Sequence, residues 1–257
     1  MENLSQTIIN YVMCEGLACA VGIATTETLA GGPPTSDLTY VLPEAKSAVS
    51  FAVALDQSLI GPFLSKRDRR SYQHDHIRAH IISSGISFEL ASYLEQRGYR
   101  SRPVNSNNFY RTDASPAGSL DLIPDISLRY LAVASGVASF GLSGNALRKK
   151  EGAAIVLGGV VTSAELEPTP PLPADENYCD GCRLCIASCA SGLMDPEEEA
   201  RVSFGGREHT YAKRRSYHRC EYVCGGFTGL HPSGKWSTWS PGRLPIPEKD
   251  EEFLGAL

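Results

Sequence analysis

The segment Cys179-Asp-Gly-Cys182-Arg-Leu-Cys185-Ile-Ala-Ser-Cys189 constrains this chain more than any other feature of it. Its spacing is C-x2-C-x2-C-x3-C, the run by which bacterial ferredoxin-type loops hold a [4Fe–4S] cluster. The reason is geometric. Three closely spaced thiolates on a tight loop each face a different iron of one cubane. The x3 step then enters a helix and turns the fourth thiolate away, and in two-cluster ferredoxins that fourth cysteine serves the other cluster. The proline that usually follows is replaced here by Ala190. Four thiolates also suit tetrahedral zinc, but zinc ligands usually come as two separated C-x2-C pairs, so the spacing favours iron and sulfide.

The remaining cysteines do not complete a second site. Cys220-Glu-Tyr-Val-Cys224 is C-x3-C, and the C-terminal part offers six cysteines where two clusters normally need eight. Cys14 and Cys19 are five apart, do not share a helix face, and lie in apolar sequence, so they are expected to be buried core thiols. One [4Fe–4S] cluster is expected, and a second is left short of ligands. The metal-ligand candidates are Cys179, Cys182, Cys185, Cys189, Cys220 and Cys224, and two ligand sets stay open. The ferredoxin crossing takes Cys179, Cys182, Cys185 and Cys224 and leaves Cys189 and Cys220 as a residual pair. The local alternative closes the first cluster with Cys189. His218 stands in a basic stretch with Lys213, Arg214, Arg215 and Arg219 and is expected to be a solvated surface residue.

A disulfide framework would suit a small secreted chain, and this one has 257 residues with no visible secretory leader. Its start, Met-Glu-Asn-Leu-Ser-Gln, carries no basic segment ahead of an apolar one and no twin arginine. The longest apolar runs, Ala48–Leu55 and Gly152–Val161, fall well short of the roughly 20 residues that span a bilayer. A cytoplasmic, membrane-free protein is expected. Hydrophobic residues are 42% of the chain, enough for a real core, and the net charge of −5 is poor for wrapping nucleic acid. Only residues 213–219 offer a basic face, so a nucleic-acid partner is not expected.

Periodicity outlines the rest. Leu4, Ile8, Ile9 and Val12 predict a helix over 4–16, and Ala20–Thr25 and Ser47–Leu55 read as strands. Lys66–His76 reads as an exposed connection. Ile77 to Leu94 mark a long helix closed by Gly98. Residues 101–125 have little periodicity, Ile126–Ser139 looks helical, and Ala153–Thr162 is the best strand. Pro168–Pro173 is a stiff linker that divides residues 1–167 from residues 174–257. Strands alternating with helices before the linker suggest a layered α/β or α+β domain.

The stretch Leu131–Glu167, LAVASGVASFGLSGNALRKKEGAAIVLGGVVTSAELE, with a ferredoxin-type cysteine run after it, resembles the epoxyqueuosine reductase and reductive dehalogenase superfamily of corrinoid iron–sulfur proteins. LACAVGIAT near the N-terminus, LPEAKSAVSFAVALD at 42–56 and LEQRGYRSRPV at 94–104 agree in order, so the resemblance covers nearly the whole chain. It implies an α+β fold: a nitroreductase-like layered domain that holds cobalamin over 1–167, then a ferredoxin-like domain over 174–257. Electrons would pass from clusters to cobalt, and the reduced cobalt would attack a small-molecule substrate. A ferredoxin or flavodoxin would be the electron donor. Asp121, ahead of Pro124, stands where this superfamily's reductases place a proposed proton donor. The bland alternative is that Asp121 and Asp125 start the helix at 126.

The sequence also departs from the family. The second cysteine motif is degenerate, with Tyr217 where a cysteine would stand three before Cys220, and the tail GLHPSGKWSTWSPGR is not a feature of the reductases. An electron carrier that has lost corrinoid binding is therefore the second reading. Gly141, Ser143, Gly144 and Asn145, followed by Arg148, form a candidate cofactor-binding turn, with a plain connecting turn as the alternative. Tyr72, His74, His76, Tyr110 and Arg111 are candidate pocket residues, and Trp236 and Trp239 are expected to cap a core or a subunit contact.

Overall fold

The structure is a computed structural model and describes residues 3–106, 109–113 and 118–257. Its centre is a four-stranded sheet of β1 (Ala20–Thr25), β2 (Ser47–Ala54), β3 (Ser101–Asn105) and β6 (Ile155–Thr162), in the order β1-β2-β6-β3. Every neighbouring pair is antiparallel. The short strands β4 (Ser139–Phe140) and β5 (Ala146–Leu147) form a separate pair.

The sheet is covered on both faces, which is why β2 reads as one continuous apolar run. Val49, Phe51 and Val53 join a core with α1 (Leu4–Cys14) and α3 (Arg70–Glu95). The alternate residues, Ala48 and Ala52, face α4 (Leu128–Ala134). Small side chains on that face let α4 approach closely. Asn3 caps α1 by accepting the Ser5 N–H at 3.0 Å.

Three expectations need correction. Residues from Arg70 on are helical, not an exposed connection: α3 begins two turns before its apolar stripe. Asp68 accepts the Ser71 N–H at 3.1 Å just ahead of the helix, and buried Asp75 accepts the Asp56 N–H at 2.7 Å, so polar anchors replace hydrophobic ones. Residues 101–105 form an edge strand, where Pro103 is tolerated and β6 supplies the pairing. Within the 101–125 stretch, positions 107–108 and 114–117, Pro116 among them, lie outside the described residues. The helix expected over 126–139 is only α4, because Gly136 stops it at φ +72° and the Val137 N–H returns to the Ala132 carbonyl at 2.8 Å. Gly98, at φ +87°, ends α3 as expected.

The proline-rich stretch 168–173 is tied to the sheet. Thr169 Oγ1 accepts the Ile23 N–H at 2.8 Å and donates to the Ser135 carbonyl at 2.6 Å. Beyond it, the hairpin of β7 (Met194–Phe204) and β8 (Arg207–Arg214) turns at Gly205-Gly206, both with positive φ. Its Val202, Phe204 and Tyr211 share a core with Leu29, Leu38 and Tyr130. Between α3 and the preceding strand lies the short α2 (Ile60–Leu64). The cysteine region adds α5 (Leu184–Ala187), α6 (His218–Cys224) and α7 (Asp250–Ala256). Among the described residues, no helix is long and apolar enough to cross a membrane.

Candidate functional site

A cavity of about 740 Å³ opens between the sheet and α6. Aliphatic residues of β3 and β6, including Val104 and Val156, make one wall. His76 and His80 of α3 make a second, and the chain from Leu122 to Tyr130 a third. Tyr217, Cys220, Glu221 and Cys224 close it from α6. The volume lies within the range of small-molecule sites, about 300–1,000 Å³.

Five titratable groups around the cavity are shifted from their ordinary values. Burial raises the Asp125 carboxyl above its usual range. Burial, with Glu221 nearby, raises the Tyr110 hydroxyl. Burial and the neighbouring His76, ring centroids 4.5 Å apart, lower His80, whose Nδ1 meets Ser106 Oγ at 3.1 Å. Burial alone would raise Tyr217, but the Arg214 and Arg129 guanidinium groups outweigh it and hold the phenol below its ordinary value. Burial pushes the Cys220 thiol up. Asn105 Oδ1, also lining the cavity, is buried with no hydrogen-bond partner among the described residues.

The cysteine run lies at the surface beside the cavity. Gly181 at φ +77° and Arg183 at φ +60° bend the loop sharply, and α5 follows as the x3 step requires. Asn177 Oδ1 accepts the Cys179 N–H and Asp180 Oδ1 accepts the Cys182 N–H, each at 3.0 Å. Cys179 Sγ accepts the Leu142 N–H at 3.3 Å, a contact of the kind that tunes a cluster thiolate. Cys189 is turned toward α6: Ser191 Oγ lies 3.3 Å from Cys189 Sγ and 3.4 Å from Cys220 Sγ. Among the described residues, no three of His, Cys, Asp and Glu converge on the position of a single metal ion. A cubane spreads its thiolates over four separate irons, so convergence on one point is not what it demands.

The turn Gly141–Asn145 meets this site as a clasp. The Gly141, Leu142, Gly144 and Asn145 N–H groups donate to Asn145 O, Cys179 Sγ, Gly141 O and Ser143 Oγ. Arg214 donates to Ser143 O at 3.1 Å and to Asn145 Oδ1 at 2.5 Å, and Arg129 donates to Gly144 O. Arg148 is engaged by Glu151 at 3.0 Å and by Val137 O at 2.7 Å. Three of the turn's donors are thus used within it and one holds the first cysteine, while Arg129 and Arg214, both on the cavity wall, bond its acceptors.

Asp121 ends a short 3-10 turn and is followed by Leu122, the first residue of the third wall. Asp125 itself is on the wall, ahead of an α4 that starts only at Leu128. His218 corrects the expectation of a solvated residue: it is buried, donating from Nε2 to Leu120 O at 2.5 Å with Nδ1 at 3.2 Å from Ser216 Oγ. It ties the segment entering Asp121 to the helix that carries Cys220 and Cys224. A lone histidine in a basic run carries no sequence sign of that role.

Of the other candidates, His76 and Tyr110 reach the cavity. Arg111 is buried under the Tyr40 ring and holds Pro34 O at 2.6 Å, and Tyr72 stacks on Phe63 at 4.3 Å. Trp239 donates to Phe63 O at 3.1 Å, and Trp236 stacks on His231. Cys14 is exposed rather than buried, because it falls on the outer face of α1; Cys19 is half-buried with its thiol on Ala52 O at 3.3 Å.

α6 is anchored by α7. Arg219, itself buried, donates to Asp250 at 2.5 Å. Burial alone would raise the Asp250 carboxyl, but the Ser216 N–H and Arg219 together hold it below its usual value. A depressed folded-state pKa adds stability above the unfolded carboxylate pKa, lost as pH falls through the folded one. Asp250→Asn is therefore expected to destabilise the chain at neutral pH. The deficit should shrink as pH falls below about 4, as read by urea unfolding at several pH values.

No protein-family model matches this chain, and no curated protein does. Solved structures do. Epoxyqueuosine reductase from Streptococcus thermophilus is 14% identical, with 96% of this chain and 69% of that one covered and a TM-score of 0.53. The catabolic reductive dehalogenase NpRdhA, in complex with 3-bromo-4-hydroxybenzoic acid, is 15% identical, with coverage of 93% and 33% and a TM-score of 0.57. An epoxyqueuosine reductase with an epoxyqueuosine-modified tRNA stem loop is 18% identical, with coverage of 74% and 52% and a TM-score of 0.48. The chain spans about half the length of several of the reductases and a third of the dehalogenase. At these identities the likeness is one of fold, and it agrees with the resemblance read from the sequence: the chain has the mixed helix-and-strand fold found in epoxyqueuosine reductase and reductive dehalogenase structures.

Proposed function

We propose that this chain is an iron–sulfur oxidoreductase in which a [4Fe–4S] cluster supplies electrons for a reduction carried out in the 740 Å³ cavity with the help of a corrinoid. The observation that carries this reading is the position of α6: the helix that bears Cys220 and Cys224 is itself a wall of the cavity. Residues 1–167 would supply most of the cavity and residues 174–257 the thiolates.

The donor set suits the cluster. Cys179, Cys182 and Cys185 stand on a tight loop, and Cys189 is turned away toward α6, as the ferredoxin crossing requires. Cys224 is then the fourth ligand. The exposed loop leaves the cluster within reach of an external ferredoxin or flavodoxin. The cavity suits a corrinoid in two respects. Aliphatic residues of the sheet and of the 122–128 chain line part of it, and the Asn105 Oδ1, unpartnered among the described residues, matches a ligand rimmed by amide N–H donors. When bound, the corrinoid would supply a low-valent cobalt nucleophile. Around it, Asp125 and Tyr110, both held protonated more strongly than usual, are groups that can hold a proton at the cavity wall. Asp121, next in sequence to this wall, is the further candidate proton donor.

A small-molecule substrate fits better than nucleic acid. The basic stretch is internally engaged: Lys213 by Glu198 at 2.7 Å, Arg215 by Asp195 at 2.8 Å, Arg219 by Asp250, and Arg214 by the turn. Among the described residues, each of the four Lys and Arg side chains of this stretch therefore has a partner within the protein.

The test is elemental analysis of protein made anaerobically with cobalamin supplied. About four irons and one cobalt per chain are expected. Iron without cobalt would replace this reading with that of an electron carrier, and zinc without iron would overturn both.

A further inference from the structure

The incomplete second motif keeps the full register. Counting back from Cys224 and Cys220 by the same C-x2-C-x2-C-x3-C spacing places two further ligand positions at 217 and 214, where Tyr217 and Arg214 stand. These two residues are bonded to each other, Arg214 Nη1 donating to the Tyr217 hydroxyl at 3.1 Å, and Arg214 is held further by Ser143 O and Asn145 Oδ1. A guanidinium held through all three of its nitrogens is not a residue that withdraws to admit four irons. By the ferredoxin crossing, the other two ligands of that second cluster would be Cys220 and Cys189. They are the two thiols that share the Ser191 hydroxyl, at 3.4 and 3.3 Å.

We infer that Cys189 and Cys220 bind no cluster and form a redox-active thiol pair at the edge of the cavity, closed to a disulfide by exchange with a low-molecular-weight disulfide. This rests on the assignment of the first cluster to Cys179, Cys182, Cys185 and Cys224. Cys189 follows a one-turn helix in a surface loop, and its thiolate attacks one sulfur of the reagent disulfide. A mixed disulfide forms and one reagent thiol leaves. Cys220 then loses its proton and attacks the Cys189 sulfur, releasing the second reagent thiol. In balance, one reagent S–S bond becomes two S–H bonds, and two protein S–H bonds become one S–S bond. Ser191 must swing out for the sulfurs to meet. Its place between them shows that both thiols already point at one locus. Cys220 lines the cavity and Cys189 does not, so closing the pair alters the cavity wall from outside it.

The test uses the whole chain, loaded anaerobically with iron and sulfide, alkylated with iodoacetamide before and after oxidised glutathione, and mapped by mass spectrometry. Before oxidation, Cys189 and Cys220 are expected to alkylate while Cys179, Cys182, Cys185 and Cys224 are protected. After it, a Cys189–Cys220 cross-linked peptide should replace both adducts and revert with dithiothreitol. Protection of Cys189 or Cys220 by iron, or glutathione adducts with no cross-link, would overturn the pair. A chain that loads no iron would refute the cluster assignment instead, and the same cross-link on that iron-free chain still decides the pair. The double variant Arg214→Cys, Tyr217→Cys restores the motif. It is expected to raise iron from about four to about eight per chain and to abolish alkylation at Cys189 and Cys220. Folded variant chains that still hold about four irons would contradict the displacement of the second cluster by Arg214 and Tyr217.

Discussion

Cys182→Ser is expected to strip the chain of its iron, from about four atoms to almost none, together with its visible charge-transfer absorption. Cys182 is the informative candidate ligand because its side chain makes no hydrogen bond among the described residues. It is exposed, and among the described residues its fixed hydrogen bond is that of its own N–H to Asp180, which a serine keeps. Loss of iron therefore reports loss of a ligand and not of the fold, and circular dichroism should be unchanged. Cys14→Ser is the matched control, an exposed thiol on α1, and should retain full iron and colour. Iron retained in Cys182→Ser would mean that the run 179–189 is not the cluster loop.

Gly136→Ala should be among the most damaging single added methyls in the protein. A Cβ at this position would stand 2.1 Å from the Pro170 carbonyl oxygen, and the residue has φ +72°. The backbone it would meet cannot yield readily, because Thr169 is bonded to both Ile23 and Ser135. Left-handed strain and overpacking each cost about 1–3 kcal/mol, so a total of about 4 kcal/mol is expected. For a chain of this size that lowers Tm by on the order of 10 °C, measurable by calorimetry. Gly98→Ala separates the two causes. Its φ is +87°, but nothing lies within 4 Å of the added carbon. It should therefore lose only the strain, about 1–2 kcal/mol. Equal losses in the two variants would show that the 168–173 stretch is not packed as described.

The two experiments probe the two ends of what could be read from the chain. Local rules governed the first. Cysteine spacing, the continuous apolar runs of β2 and β6, and the helix stop at Gly98 all depend on neighbours a few residues away, so they were visible without a structure. The Gly205-Gly206 hairpin obeyed the same rules and could have been found by them. What local rules missed was stabilised from afar. The edge strand β3 borrows its pairing from β6. The first turns of α3 rest on Asp75 reaching the Asp56 N–H. The linker, stiff by composition, is fixed by one threonine to strand β1.

The site divides in the same way. The reading of Cys179, Cys182 and Cys185 as candidate cluster ligands comes from the sequence alone, because side chains on one tight loop are a local problem. The partnership of Cys189 with Cys220 is tertiary, since only packing brings residues 31 apart to one serine hydroxyl. So are the burial of His218, the engagement of every basic residue from 213 to 219 that a surface reading left free, and the cavity itself. A cavity is a property of the space between elements. No stretch of chain encodes it until the sheet, α3 and α6 have found their places.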